Sequence, residues 1–457
     1  MYAWVSLINA VLALGMETTF FRYLNKAETE TDKSKVYCTS FFSIGFFAIL
    51  VLGAISLGIN SLAPILHDQT VASIDDYETF IQVFAWVMFF DAVAVIPFAK
   101  VRADGRPLRY GLIKLFNILI FVGLNLFFLF GVPWVIKNGY PLAAFFQSWY
   151  RSGWIGYVFI SNLVSSAVTV LLLLPELLKL SAKFDTALLK QMMAYSFPVL
   201  VANLSFIVNE TSDKIFLKEL LPAGQGMLDV GIYGSVSKIA IFLSIFVQAF
   251  RLGAEPFFFS HAKNKNAAET YSGIMNYFII AVCLIFVALS ANIEILKYFI
   301  KGKDAEQIAI YWSGLKVVPV LLFGYVSLGI YMNLSIWYKL SDQTRYGLYI
   351  SGIGAIITII LNVIFIPRFS YVASAWISLV AYASMMILSY ILGQKHYPIP
   401  YNLKKALLYI VISIVIVLLS FLVFHRSLVV GNILFLLFAA GVIFTERKEL
   451  KSIFIKK

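Results

Sequence analysis

Asp91, in "WVMFFDAVAVIPFAK", and Lys238, in "YGSVSKIAIF", are single ionisable residues set deep in apolar runs. A charge at membrane depth costs about 2.5–3.5 kcal/mol even on permissive insertion scales, so such a group faces a cavity or a partner. A carboxyl there can take up a proton or a small cation, and an ammonium can neutralise an anion. Two more acids recur in matching settings: Glu17 in "LGMETTFFRY" and Glu255 in "LGAEPFFFSH", each between a Leu-Gly pair and two phenylalanines. A glutamate just inside each half of the chain is placed to pair with basic groups of the other half and latch it, with Arg102, Lys114 and Lys339 as candidate partners. Arg22 and Arg251, near the same helix ends, suit either a solvated charge belt or an anion entrance. In "VNETSDKIFLKEL", Glu210 and Asp213 are three apart and Glu210 and Lys214 four apart, so the three share a helical face, as an interfacial ion pair or as a gate.

The elements that carry these residues are membrane helices. Of 457 residues, 61% are hydrophobic and 13% charged, with a mean hydropathy of +0.86. Soluble domains carry about 25% charged residues, so half of the usual solvating charge is missing. A net charge of +12 would need a basic face on a soluble domain to imply a nucleic-acid partner, and no such domain exists here. Spans of about 20 apolar residues fall near 2–22, 37–60, 78–98, 108–131, 152–175, 190–209, 229–250, 271–292, 316–336, 346–366, 371–392, 404–424 and 428–445. The fold class is therefore all-α integral membrane, with about thirteen transmembrane helices. The connections are short, which leaves no room for an extramembrane catalytic domain and argues against an enzyme. Cys38 and Cys283 lie in apolar runs and read as packing residues, with no disulfide framework, metal site or cofactor indicated. No cleavable leader is recognisable.

Of the 36 lysines and arginines, 24 fall in the loops after odd-numbered spans and in the C-terminal tail, against nine in the alternate loops. Short cytoplasmic loops retain positive charge, so the first set and the C-terminus are expected in the cytoplasm. The "LG-x-E-x-x-FF" motif recurs at an offset of 238, "RYGL" at 109–112 and 345–348 at 236, and "LN" at Leu124 and Leu361 at 237. A near-constant offset pairs span 1 with span 7 and span 4 with span 10. This is a shift of six helices that keeps orientation and makes a parallel repeat. The expected organisation is an N-terminal lobe at 1–175, a second lobe at 187–392, and two extra helices with a basic tail at 393–457. The register leaves the first lobe one helix short of six, as though a helix were missing before Met1. Two such lobes around a central cavity form a transporter architecture.

"LGMETTFFRY", "YSFPVLVANLSFIVNETSDKIFL", "GIYGSVSKIAIFLSIFVQAFRLGAEPFFF", "GIYMNLSIWYKLSDQTRYG" and "LNVIFIPRFSYVASAWIS" together resemble bacterial polysaccharide biosynthesis membrane proteins. These are the O-antigen flippase-like branch of the multidrug/oligosaccharidyl-lipid/polysaccharide exporter superfamily, whose members typically have twelve to fourteen helices in two six-helix lobes. The resemblance implies translocation of an undecaprenyl-diphosphate-linked oligosaccharide from the inner to the outer leaflet of the bacterial cytoplasmic membrane. Pathway glycosyltransferases and a glycan polymerase would be its partners. On that reading Lys238 in the cavity and Arg22, Arg251 and Lys114 at the inner entrance neutralise the diphosphate. Asp91, Glu17, Glu255, Glu210 and Asp213 serve gating or coupling to protons or sodium. The nearest rivals are a cation-coupled multidrug or organic-cation antiporter of the same superfamily and a peptidoglycan-precursor lipid flippase. A membrane glycosyltransferase or a structural scaffold is a rival from another class.

Overall fold

The computed structural model describes residues 8–9, 11–66, 73–181, 183–222 and 224–455. Met1 to Leu7 and Ala10, on which much of the first expected span falls, lie outside the described residues. The described backbone is helical and carries no strand. Nine of its helices are long and apolar enough to cross a membrane. The longest of them, Arg345–His396, is broken at Ser370, where φ is 52° and ψ −138°. Counting its two legs separately and adding the helices at residues 156–172 and 186–220 gives twelve among the described residues, which match the second to thirteenth expected spans in order; the helix at 16–26 holds the described end of the first.

We number them α1 (Met16–Lys26), α2 (Glu30–Leu57), α3 (Ile74–Ala103), α4 (Pro107–Leu126), α5 (Gly156–Leu172), α6 (Thr186–Leu220) and α7 (Gln225–His261). There follow α8 (Ala267–Ala291), α9 (Val318–Leu334), α10 (345–369), α11 (371–396), α12 (Leu403–Leu418) and α13 (Leu428–Ile455). Side chains with a free oxygen start several of them. Thr29 accepts from the Asp32 N–H ahead of α2, Ser73 from that of Asp76 ahead of α3, and Asn402 from that of Lys405 ahead of α12. Each satisfies one donor that the first helical turn leaves unpaired.

The chain divides into two compact units, Met1–Leu204 and Ser205–Lys457, so the division falls inside α6. In the first unit α3 is central, packing on α2 and α5, with α4 laid against α5. Leu112, Leu115, Phe116, Ile118 and Leu119 of α4 are exposed, as expected of a helix whose outer face meets lipid. In the second unit α9 packs on α7, α8 and the α10–α11 segment, while α12 and α13 pack on α8. Tyr409, Val417, Phe438 and Val442 of those last two helices join the same buried cluster as Val236, Cys283 and Leu322.

Two features depart from the sequence expectation. Span 6 was expected to end at residue 209, with Glu210, Asp213 and Lys214 at an interface, but α6 continues to Leu220 and carries Asp213 into the interior, 2% exposed. Asp213 is thus a buried acid inside the helix and not part of an interfacial ion pair. The duplicated Leu-Gly pairs also differ. Leu14 (φ 51°) and Gly15 (φ 63°) form a left-handed turn just before α1, whereas Leu252 and Gly253 continue α7 without a break. The turn is held by α6: the Ser196 hydroxyl donates to the Leu14 carbonyl. A Cβ on Gly15 would come within 2.8 Å of the Ser196 carbonyl oxygen and 2.9 Å of the Leu200 nitrogen.

Candidate functional site

In the second unit, α6, α7, α10 and α11 converge on one buried carboxylate. Asp213 of α6 accepts through Oδ2 from the Tyr233 hydroxyl of α7 and the Ser378 hydroxyl of α11, both at 2.7 Å. Its Oδ1 accepts from Asn362 Nδ2 of α10 at 3.1 Å. Four helices thus place three neutral donors on an acid that has no cationic partner among the described ion pairs.

The shell around it is polar. Asn209 stands one helical turn before Asp213, Thr358 one turn before Asn362 and Ser374 one turn before Ser378, and all three are buried. The side-chain oxygens of Asn209, Ser212, Thr358, Asn362 and Ser374 have no hydrogen-bond partner among the described residues. A hydroxyl oxygen can turn to donate, but the amide oxygens of Asn209 and Asn362 can only accept. Buried acceptors of this kind next to a carboxylate suit a group that brings positive charge or a proton. A hard monovalent cation would draw on Asp213, Asn362 and Asn209, and a proton on Asp213 itself. Sequence reasoning named Asp213 but missed Tyr233, Asn362, Ser378 and Asn209. The legible signal was the asparagines interrupting "IVNETSD" and "IILNVIF", which are Asn209 and Asn362.

The first unit holds a smaller counterpart. Asp91 of α3 accepts from the Ser166 hydroxyl of α5 at 2.8 Å and from Asn9 Nδ2 at 3.4 Å. Lys114 of α4 lies within electrostatic reach of it, with its ammonium 4.5 Å from the centre of the Phe98 ring.

The duplicated glutamates each pair within their own unit. Glu17 pairs with Arg102, which also lies over the rings of Phe21 and Tyr110 at 5.0 and 5.4 Å. Glu255 pairs with Lys339 at 3.0 Å. The partners are two of the three expected, but they come from the same half of the chain, where the sequence reading had each glutamate reach across. The two ion pairs occupy equivalent positions of the repeat, at offsets of 238 and 237 residues.

The proposed diphosphate set is not gathered in either unit. Arg22 and Lys114 belong to the first, while Lys238 and Arg251 belong to the second and stand on one helix about 20 Å apart along its axis. Lys238 is exposed on the face of α7 that also carries Ile241, Phe242 and Ile245. Arg251 lines a small cavity with Glu255, Asn333 and Lys339. The side chain of Glu210 lies outside the described residues.

Twelve apolar helices among the described residues, in two helical units, with Asp213 buried among neutral donors, define a multi-pass helical membrane protein. Residues 198–364, which include most of the Asp213 site, match the MatE family model. No curated protein matches the sequence. Among solved structures, a MATE transporter in complex with MaL6 superposes with a TM-score of 0.68 at 12% identity, over 86% of this chain and 85% of that one. The Vibrio cholerae MATE transporter VcmN in its bent form gives 0.62 at 14% identity, over 89% and 87%. A transporter of the MOP superfamily from Pyrococcus furiosus, described as having a binding pocket of reverse polarity that suggests a different function, gives 0.65 at 14%, over 86% and 85%. The chain therefore has the fold of the MATE transporters.

Proposed function

We propose that this chain is a cation-coupled membrane transporter working by alternating access, with Asp213 as the group that binds the coupling proton or sodium ion. The observation that carries this is the buried Asp213 carboxylate, held by three neutral donors beside acceptor oxygens that lack a donor. Burial of an acid whose bonded partners are all neutral is costly unless a proton or cation joins it during the working cycle. The MATE fold and the MatE match over 198–364 support the same class. Transport by the purified protein in liposomes under an imposed sodium or proton gradient tests it. Asp213→Asn is expected to abolish gradient-driven movement while leaving folded protein. Wild-type gradient dependence in that variant would sink the assignment.

The cargo that the fold neighbours favour is an organic cation, because the related structures include a multidrug resistance MATE transporter. A lipid-linked oligosaccharide is the second reading, favoured by the sequence resemblance and by the exposed cation Lys238 on α7. The same liposomes loaded with a fluorescent lipophilic cation or with a polyprenyl-diphosphate oligosaccharide separate the two. Lys238→Ala should impair only the second. The loop charges support placement in a cytoplasmic membrane with the C-terminus inside.

A further inference from the structure

A second polar cavity lies wholly within the first unit, away from Asp91 and on the face that the loop charges assign to the cytoplasm. It measures about 420 Å³ and is bounded by the end of α1, the start of α2, the end of α3 and the segment after α5. That size falls in the range of about 300–1,000 Å³ usual for small-molecule sites. Lys33, Lys100 and Lys179, from three different elements, all line it, together with Ser34, Asn25 and Tyr37.

Each lysine is tethered by an acid one turn away on its own segment. Lys33 bonds Glu30 at 2.7 Å, Lys100 pairs with Asp104, and Lys179 bonds Glu176 at 2.7 Å. Glu176 is fully buried and also pairs with Arg109 at 2.7 Å and Arg106 at 3.6 Å, while its backbone carbonyl accepts from the Tyr37 hydroxyl at 2.9 Å. An ammonium has three donors and its tether uses one, so each lysine keeps donors for a ligand. The tethers hold the side chains on the cavity wall, which lowers the ordering cost of binding. The wall itself carries these three lysines against two carboxylates, Glu30 and Asp104, leaving a net charge of one positive.

We propose that this cavity binds a phosphate-bearing anion, with Lys33, Lys100 and Lys179 as its ligands. Several ammonium groups approaching from different elements suit a polyanion with oxygens on all sides better than a planar carboxylate, which a guanidinium fork would serve. The anion is either free in solution or carried on a lipid headgroup at the membrane surface. The site is separate from Asp213 and does not depend on the coupling role given to that residue.

The test uses the purified full chain. Inorganic pyrophosphate is titrated calorimetrically against protein in neutral detergent. In parallel, thermal unfolding is compared in nanodiscs of phosphatidylcholine with and without phosphatidylglycerol. Lys100→Gln and Lys179→Gln should each weaken binding about ten-fold and their combination about a hundred-fold, which corresponds to about 1.4 kcal/mol per ten-fold step. Lys100→Arg, which keeps the charge, should retain most of it. Lys35→Gln, altering a lysine that pairs with Asp32 at 3.8 Å and does not line the cavity, should change nothing. Pyrophosphate binding lost in the glutamine variants supports a free anion. Stabilisation by phosphatidylglycerol lost in those variants, without pyrophosphate binding, supports a headgroup. Absence of both effects, or equal loss in Lys35→Gln, overturns the site. Asp213→Asn should bind pyrophosphate or phosphatidylglycerol normally, so failure of the coupling reading would leave this result intact.

Discussion

Replacing Asp213 two ways separates its structural part from its coupling part. Asp213→Ala removes the acceptor shared by the Tyr233 and Ser378 hydroxyls and the Asn362 amide, all buried. Leaving a buried donor unsatisfied costs about 1–3 kcal/mol, so three cost about 3–9 kcal/mol. That is comparable with the whole stability of a typical domain, about 5–15 kcal/mol, and the alanine variant should fail to accumulate as folded protein. Asp213→Asn has nearly the same shape. Its new carbonyl can face Asn362 Nδ2 and its amide nitrogen the two hydroxyls, which can turn to accept. The loss is then the charge assistance of the bonds, about 1–3 kcal/mol. The assay is thermal unfolding of detergent-purified protein in sodium and in choline at matched ionic strength, repeated across pH. A sodium ion bound only by the native state at a hundred times its Kd stabilises by about 2.7 kcal/mol. If the coupling ion is a proton, the response appears with pH instead. Wild type should show one of these responses and Asp213→Asn neither. An alanine variant as stable as wild type, or an asparagine variant that keeps the response, would refute the reasoning.

Three further outcomes follow from the geometry. Glu17→Gln removes the carboxylate charge that faces the buried guanidinium of Arg102, 5% exposed in its side chain. It should cost about 1–3 kcal/mol, and this loss and that of Glu255→Gln should add within about 0.5 kcal/mol because each glutamate has a partner in its own unit; unfolding of the single and double mutants measures this. Gly15→Ala places a Cβ 2.8 Å from the Ser196 carbonyl oxygen in a left-handed conformation, which should cost about 2 kcal/mol or more. The matched Gly253→Ala, within α7 and with nothing near its Cβ position, should be neutral or slightly stabilising. Ser370 sits at φ 52° and ψ −138° with its hydroxyl donating to Asp229 at 2.5 Å. Ser370→Ala keeps the strain and loses the bond, about 1 kcal/mol, whereas Ser370→Gly also relieves strain of about 1–3 kcal/mol and should be the more stable of the two in the same unfolding assay.

Much of the architecture was legible because membrane solvation enforces it. A helix that must satisfy its own backbone in hydrocarbon announces itself as about 20 apolar residues, and twelve of the thirteen runs became helices among the described residues. The repeat was legible because an identical motif at a fixed offset survives in the residues themselves, and Glu17–Arg102 and Glu255–Lys339 stand at matching places in both copies. Pairing direction was not legible, since a helix end reveals which charge it carries but not which neighbour comes within bonding distance. Asp213 was misplaced for a related reason. The charges of "NETSDK" look like a helix leaving the membrane, whereas α6 continues and turns Asp213 inward.

By itself the sequence determined that this is a membrane protein, where most of its apolar helices run, and where its few ionisable residues stand along them, because hydropathy and period are local properties. Tertiary structure alone decided that Tyr233, Asn362 and Ser378 meet on Asp213, and that Lys33, Lys100 and Lys179 share one cavity. It also decided that one Leu-Gly pair breaks its helix while its duplicate does not. Those outcomes depend on helices far apart in the chain coming into register, and for Gly15 on the backbone of α6 approaching closely enough to leave no space for a Cβ.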